Sequence, residues 1–325
     1  MKAGIVGSGK ILKECLRAID GAAGVQAAAV CVREGSRSKG EELAEKHGIP
    51  LVCTDYEEFL KLDSLDIIYI GIINSMHYEY AKKALEHGKN VILEKPMTTS
   101  AAEMAQLAGI AKEKGVFLFE AITTLHYPTF AFIKEQISNI GDIKMVQCNF
   151  SQYSTRYDNY LAGVVQPVFD PKLYGGALYD INVYNLHFVT ALFGRPEKIS
   201  YHYNSGYNGV DTSGTLILEY PGMVASCTAA KDSYSPCFGV IQGTKGYVQV
   251  DGSVSLCTLA RSVTDQGELT FACPEAASRM CFEWEAFADM YARKDLEECY
   301  KLLEHSVMVM ELLEAARENA GLRLG

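Results

Sequence analysis

The run Ala3-Gly4-Ile5-Val6-Gly7-Ser8-Gly9-Lys10-Ile11-Leu12 decides the reading of the first third of this chain. A short apolar strand delivers the backbone into two glycines two residues apart, and a helical pattern opens at Lys10. Glycine at both places lets the chain turn tightly and lets a large anion approach the backbone. The amides and positive dipole end of the following helix then face that anion. The spacing points to a dinucleotide pyrophosphate held by Gly7, Ser8, Gly9, Lys10 and Ile11. The plainer alternative is an ordinary strand-to-helix turn, and Leu12 stands where the fingerprint wants Gly or Ala. Its position at the head of a βαβ series favours the dinucleotide.

Working outward, short apolar runs alternate with helical stretches through residue 121. Strands are expected at Ala3 to Val6, Val25 to Val32, Ile67 to Ile72, Val91 to Leu93 and Val116 to Phe119. Helices are expected at Lys10 to Ile19, Lys39 to His47, Tyr78 to His87 and Ala101 to Lys114. Runs this continuously apolar suit strands covered on both faces, so residues 1–121 predict a doubly wound parallel sheet of Rossmann type, an α/β dinucleotide-binding domain. After the second strand an acid would hold ribose hydroxyls and favour NAD. The chain offers Arg33, Glu34, Gly35, Ser36 and Arg37 instead. Arg33, Ser36 and Arg37 suit a 2′-phosphate, which favours NADP(H), with NAD(H) as the alternative if Glu34 holds the ribose and the arginines are solvated.

From Ile122 the pattern changes. A helix is expected over Phe130 to Ser138, a strand over Lys144 to Ser154 and a helix over Gly176 to Phe193. Turn signals at Pro221-Gly222, Gly243 to Gly246 and Asp251-Gly252 then punctuate strands, expected to number five or six in an open, mainly antiparallel sheet. Helices close the chain near Glu283 to Arg293 and Leu296 to Asn319. Residues 122–325 thus predict an α+β domain for substrate binding and oligomerisation. Its apolar strands, Thr215 to Tyr220 and Met223 to Thr228, predict a homodimer or homotetramer that covers the sheet.

The net charge of −10 excludes the basic stripe of a nucleic-acid binder. No secretory leader and no membrane-length apolar run is found, which predicts a soluble cytoplasmic protein without nucleic-acid or membrane partners. The ten cysteines form no CxxC pair and read as reduced thiols packed as small hydrophobes. No metal spacing is present.

Residues 89–98 contain Glu94-Lys95-Pro96, and Ile70-Gly71-Ile72-Ile73-Asn74-Ser75-Met76-His77 precedes it. Gly175-Gly176-Ala177-Leu178-Tyr179-Asp180-Ile181-Asn182-Val183-Tyr184 follows in the second half. In that order these segments resemble the glucose-fructose oxidoreductase/inositol dehydrogenase/rhizopine catabolism (Gfo/Idh/MocA) family over essentially the whole chain. Tyr184, four residues after Asp180, is the pattern of its glucose-fructose oxidoreductase and dimeric dihydrodiol dehydrogenase branch. Asp211, Leu218 to Gly222 and Gly243 to Gly246 are similar to that branch as well. The resemblance implies an NAD(P)-dependent oxidoreductase of sugar-like, cyclic-diol or dicarbonyl substrates. It implies that Asn74, His77, Glu94 and Lys95 approach the cofactor. Asn182 replaces a frequent Gly on the pocket floor, and Leu12 alters the phosphate turn.

Hydride transfer belongs to the nicotinamide, so the protein must hold the reacting carbon and move a proton. Asp180, Tyr184 and His187, spaced i, i+4 and i+7, are expected on one helical stripe facing the cofactor. A tyrosine hydroxyl ordinarily titrates near 10 and needs a cation beside it to release a proton at neutrality; Lys95 is the expected cation. Tyr184 is then the proton donor and acceptor, Lys95 polarises the substrate oxygen, and Asp180 orients substrate hydroxyls or Lys95. Glu94 fixes the lysine loop. Arg156 and Tyr157, within an aromatic and polar stretch, together with Asn182 and His187, are the expected substrate contacts. His187 could equally be a core histidine, and residues 152–160 a polar surface loop. Two rival readings are a catalytically inactive NAD(P)-binding regulator of the same fold and a biliverdin-reductase-like enzyme.

Overall fold

A computed structural model describes residues 1–325. They divide into two compact units, Met1–Thr123 with Glu275–Val307, and Thr124–Pro274 with Met308–Gly325.

In the first unit β1 (Lys2–Val6), α1 (Lys10–Gly21), β2 (Gln26–Cys31), α2 (Arg37–His47), β3 (Val52–Cys53), α3 (Tyr56–Leu60) and β4 (Ile67–Ile70) alternate along the chain. They are followed by α4 (His77–Glu86), β5 (Asn90–Glu94), α5 (Ala101–Lys114) and β6 (Leu118–Ala121). The strands form one parallel sheet in the order β3-β2-β1-β4-β5-β6. All four residues of β4 are buried, as expected for a central strand covered on both faces. Helix α5 shows how local chemistry sets the ends. Ser100 accepts a hydrogen bond from the Glu103 amide, Glu103 reaches back to Thr99, and Gly115 at φ 65° closes the helix in the left-handed region. Helix α1 has no side-chain cap and no acid in its first turn. Its leading amides therefore stay available to an outside anion.

The order changes direction between β1 and β4, the crevice where sheets of this kind bind ligands. There the glycine turn is sterically forced. Gly7 has φ +127°, and a Cβ on it would lie 2.5 Å from the Gly71 carbonyl oxygen. Leu12 is fully buried, and its Cδ1 packs beside Gly7 and Gly71; a Cβ on Gly71 would lie 2.9 Å from it. Gly71 thus makes room for the leucine that departs from the fingerprint.

In the second unit come α6 (Pro128–Gln136), β7 (Ile143–Ser151), α7 (Tyr157–Leu161), a π-helical turn over Leu178–Asn182, and α8 (Val183–Phe193). Strands β8 (Lys198–Ser205), β9 (Asp211–Tyr220), β10 (Met223–Ala230), β11 (Phe238–Gly243), β12 (Gly246–Asp251), β13 (Leu259–Thr264) and β14 (Gly267–Ala272) follow. The sheet has eight strands, β14-β13-β12-β11-β7-β10-β9-β8, where five or six were expected. It is antiparallel except for β7 beside β10. The edge strands carry the weakest sequence signal: β14 is largely exposed, and β8 carries Lys198, His202 and Asn204, so neither shows a clear apolar alternation.

Helices α9 (Cys281–Arg293) and α10 (Leu296–Asn319) end the chain. Helix α9 packs on α1 in the first unit. Trp284 meets Tyr69 with centroids 5.7 Å apart, and Phe287 stacks on Phe119 at 4.5 Å. No helix of the chain is long and apolar enough to cross a membrane.

Candidate active site

The glycine turn opens a cleft of about 310 Å³ in the first unit. Gly7, Ser8, Gly9, Ile11 and Arg33 line it. Thr54, Tyr56, Met76 and Tyr80, which the sequence did not single out, line it as well. Tyr56 and Tyr80 are in ring contact at 4.6 Å, and the Tyr56 hydroxyl donates to the Tyr80 carbonyl at 2.9 Å. Cys31 also borders the cleft, and burial pushes its thiol up to about 12, so it stays neutral there. The cleft residues fit a dinucleotide. A Cβ is excluded at Gly7, and open space surrounds Gly9. The uncapped start of α1 adds unpaired amides at the same turn.

Lys10, Ser36, Arg37, Asn74, His77, Glu94 and Lys95 lie outside that lining. For several the structure supplies another partner. Arg37 is gripped by Glu34 through two hydrogen bonds of 3.0 and 3.1 Å and also donates to Thr54. Arg33 remains the arginine at the cleft. His77 is fully buried. Its Nδ1 lies 2.9 Å from the Pro96 carbonyl and its Nε2 3.2 Å from that of Ile72, so it ties the loop after β4 to the loop after β5. Glu94 is buried and accepts from the Tyr69 hydroxyl at 2.6 Å and from the Lys95 amide at 3.2 Å. Burial raises its pKa, against the pull of Tyr69, Lys95 and Arg279. These contacts make His77 and Glu94 supports of the loop bearing Lys95, which is itself half-buried.

In the second unit the expected single stripe is broken. The π turn over Leu178–Asn182 replaces the first turn of the helix, so the 100° spacing does not apply across it. Asp180 keeps partial exposure, Tyr184 is buried with its ring 6.2 Å from Phe150, and His187 is fully buried. His187 and Asn182 therefore stand in the core rather than on an accessible wall. The Asn182 amide donates to the Cys227 carbonyl at 2.9 Å and its oxygen accepts from Asn185. Arg156 and Tyr157 are half-buried at the start of α7.

The partner that the sequence concealed is Lys231, directly after β10. Its buried ammonium pairs with Asp180, donates to the Val168 carbonyl at 3.2 Å and lies 5.1 Å over the Phe169 ring. The two residues are 51 positions apart, and only the packing of β10 against the π turn brings them together. Asp211 shapes the glycine pair in front of Asp180. Its Oδ2 accepts from the Leu178 amide at 2.6 Å and the Tyr201 hydroxyl at 2.7 Å. A Cβ on Gly176 would strike its Oδ1. Desolvation lifts the Asp211 pKa to about 6.

Known proteins agree with this architecture. An oxidoreductase family model with an NAD-binding Rossmann fold matches residues 1–122, and the GFO/IDH/MocA C-terminal domain matches residues 131–249. The chain is 31% identical over 287 residues to scyllo-inositol 2-dehydrogenase (NADP(+)) IolU of Bacillus subtilis, covering 88% of each protein. It is 31% identical over 311 residues to trans-1,2-dihydrobenzene-1,2-diol dehydrogenase of Sus scrofa, covering 91% of this chain and 89% of that protein. In fold it matches KijD10, a 3-ketoreductase from Actinomadura kijaniata, with a TM-score of 0.82 at 21% identity, over 98% of this chain and 96% of that one. The chain belongs to the Gfo/Idh/MocA family of oxidoreductases.

Proposed function

We propose that this chain interconverts a secondary alcohol and a carbonyl on a sugar-like, cyclic-diol or dicarbonyl substrate, using NADP(H) in preference to NAD(H). The observation that carries the reading is the glycine cradle, in which Gly7 tolerates no Cβ and α1 begins uncapped. Gly7, Ser8, Gly9 and the amides of α1 would hold the pyrophosphate. Arg33 would take the 2′-phosphate. Glu34 is already engaged by Arg37, which disfavours its use as the ribose acid of an NAD site. The NADP(+) in the name of the Bacillus subtilis relative, and the inositol and dihydrodiol in the names of both relatives, support the same choice.

When bound, the nicotinamide supplies or accepts the hydride. Lys95 polarises the substrate oxygen. Tyr184 gives that oxygen a proton in reduction and removes it in oxidation. Asp180, its charge balanced by Lys231, orients substrate hydroxyls. The split at residue 121 is adjusted by the returning helices: Met1–Thr123 with Glu275–Val307 would serve the cofactor, and Thr124–Pro274 with Met308–Gly325 the substrate and self-association. The ten free thiols support a reducing, cytoplasmic setting. A panel of polyols, diols and dicarbonyls, followed by NADPH absorbance, tests the activity. Tyr184→Phe should lower kcat about 10²–10⁴-fold with little change in cofactor affinity. Absence of turnover across the panel, with NADPH still bound, would favour an inactive regulator. Near-normal turnover by the variant would move the proton to another group.

A further inference from the structure

The second unit carries a chain of aromatic contacts that hydride transfer to a small polyol does not use. It starts at Phe169, under the Lys231 ammonium that pairs with Asp180. Phe169 meets Tyr157 at 5.6 Å, Tyr157 meets Tyr153 edge-on at 5.4 Å, and Tyr153 stacks on Tyr234 at 5.2 Å with planes 13° apart. Tyr234 is 82% exposed. Three successive ring contacts separate Tyr234 from Phe169, so this outer pair stands apart from the Asp180–Lys231 pair.

Tyr153 is held in place beneath Tyr234. The Gln152 amide donates to the Ala230 carbonyl at 2.9 Å and the Ser154 amide to that of Lys231 at 2.8 Å, which fixes the backbone on both sides of Tyr153. The Tyr153 hydroxyl donates to Asp158 at 2.6 Å, which orients its ring. The half-buried Tyr153 backs the exposed Tyr234, which leaves the outer face of Tyr234 as a stacking surface, and preorganisation lowers the entropy that a ligand must lose. At the edges stand carboxylates: Asp158, and Asp232, which accepts from Thr212 and Ser213. Carboxylates bordering an aromatic face suit hydroxyls around a ring whose CH faces lie on the aromatics. A bare aryl group would desolvate those charges without pairing them.

We propose that the substrate is a glycoside, with the reacting ring near Asp180 and a second sugar ring stacked on the outer face of Tyr234, which Tyr153 backs. This rests on the proposed reaction, and the test separates the two. Saturation-transfer NMR on the NADP⁺-loaded protein would use methyl glucoside, phenyl glucoside, cellobiose and maltose as probes. The expected result is saturation of both rings of at least one disaccharide, with the second-ring signal lost in Tyr234→Ala. The ratio of disaccharide to methyl glucoside kcat/KM should fall about fivefold in that variant, the scale of one aromatic contact. Saturation of methyl glucoside with no second-ring signal overturns the second subsite alone, as does a signal unchanged in Tyr234→Ala. Saturation of phenyl glucoside without either disaccharide overturns the sugar in favour of an aryl group. If no probe is saturated, the sugar-directed reading fails and the second subsite with it.

Discussion

Asp180 and Asp211 are both carboxylates of the second unit, yet their surroundings give them opposite tasks. Asp180 meets a buried ammonium and keeps partial access to water, which suits a charge that faces substrate. Asp211 is fully buried, accepts two hydrogen bonds at Oδ2, and has none at Oδ1. Its folded-state pKa of about 6 lies above the ordinary 3.8. An acid whose pKa rises on folding is held protonated by the native state. Its contribution to stability is therefore whole below the unfolded value and is lost as pH rises through about 6. A shift of two units corresponds to about 3 kcal/mol. Asp211→Asn keeps the shape and removes the titration, so wild type should lose about 2 kcal/mol relative to the variant between pH 4 and 7, the rest being lost below pH 4. Urea unfolding of both proteins at pH 4, 5.5 and 7 checks this; parallel pH profiles would show that the acid is not perturbed. Arg33 gives the other prediction at this scale. Arg33→Ala should weaken NADPH by about 1.5–3 kcal/mol, the value of a charge-assisted contact, and NADH far less. Equal losses for both cofactors in fluorescence titrations would remove Arg33 from the 2′-phosphate.

Between β1 and α1 the two glycines of the turn have different reasons to be glycine, and substitution can tell them apart. At Gly7 the backbone is left-handed and a methyl would press on the Gly71 carbonyl. Gly7→Ala should therefore cost about 1–3 kcal/mol of stability even without cofactor. At Gly9 the backbone is extended, with φ −80°, and nothing stands within 4 Å of an added Cβ. Gly9→Ala should leave the cofactor-free protein within about 0.5 kcal/mol of wild type, yet weaken NADPH by crowding the phosphates. Thermal unfolding and cofactor titration of both variants test the contrast; a stability loss at Gly9 equal to that at Gly7 would contradict it. This turn was legible because strand, glycine spacing and helix are contiguous in sequence. So was β4, whose four apolar residues admit one environment. The π turn was not, because Leu178 to Asn182 carry the same side chains an α-helix would. Lys231 was hidden for a different reason: a lysine after an apolar strand looks like a solvated end until the fold brings Asp180 to it. The helix near Glu283 to Arg293 was expected but not the sheet its Trp284 and Phe287 pack on, since an apolar face does not name its partner.

Across the eight-stranded sheet the register sets up a row of side chains on which the proposed self-association can be tested. Helix α8 packs on β7 and β10, and α6 on β13. On the other pleat, Val263 pairs with Tyr247, Tyr247 with Gln242, Gln242 with Met145, Met145 with Val224 and Val224 with Glu219. Because side chains alternate faces along a strand, cross-strand partners in one row share one face. Met145, Val224 and Tyr247 in this row are exposed. Small polar residues occupy the neighbouring rows, with Gln147 opposite Ser226 and Asn149 opposite Thr228. The apolar members Val263, Tyr247, Met145 and Val224, with Gln242 among them and Glu219 only at the end, suit a face that another protein surface covers, with water or hydrogen bonds at its polar part. Self-association through it follows the two-fold rule that one patch meets its own copy. Light scattering at micromolar concentration should then give two or four times the chain mass of 35.7 kDa. Val224→Arg would place a charge in the middle of the row, next to Met145, and bury it against its own symmetry mate. That repulsion and desolvation should move the mass to that of one chain, while far-UV circular dichroism stays native because the residue is exposed in the monomer. A wild type already at monomer mass, or a Val224→Arg protein that keeps the oligomer, would remove this face from the assembly.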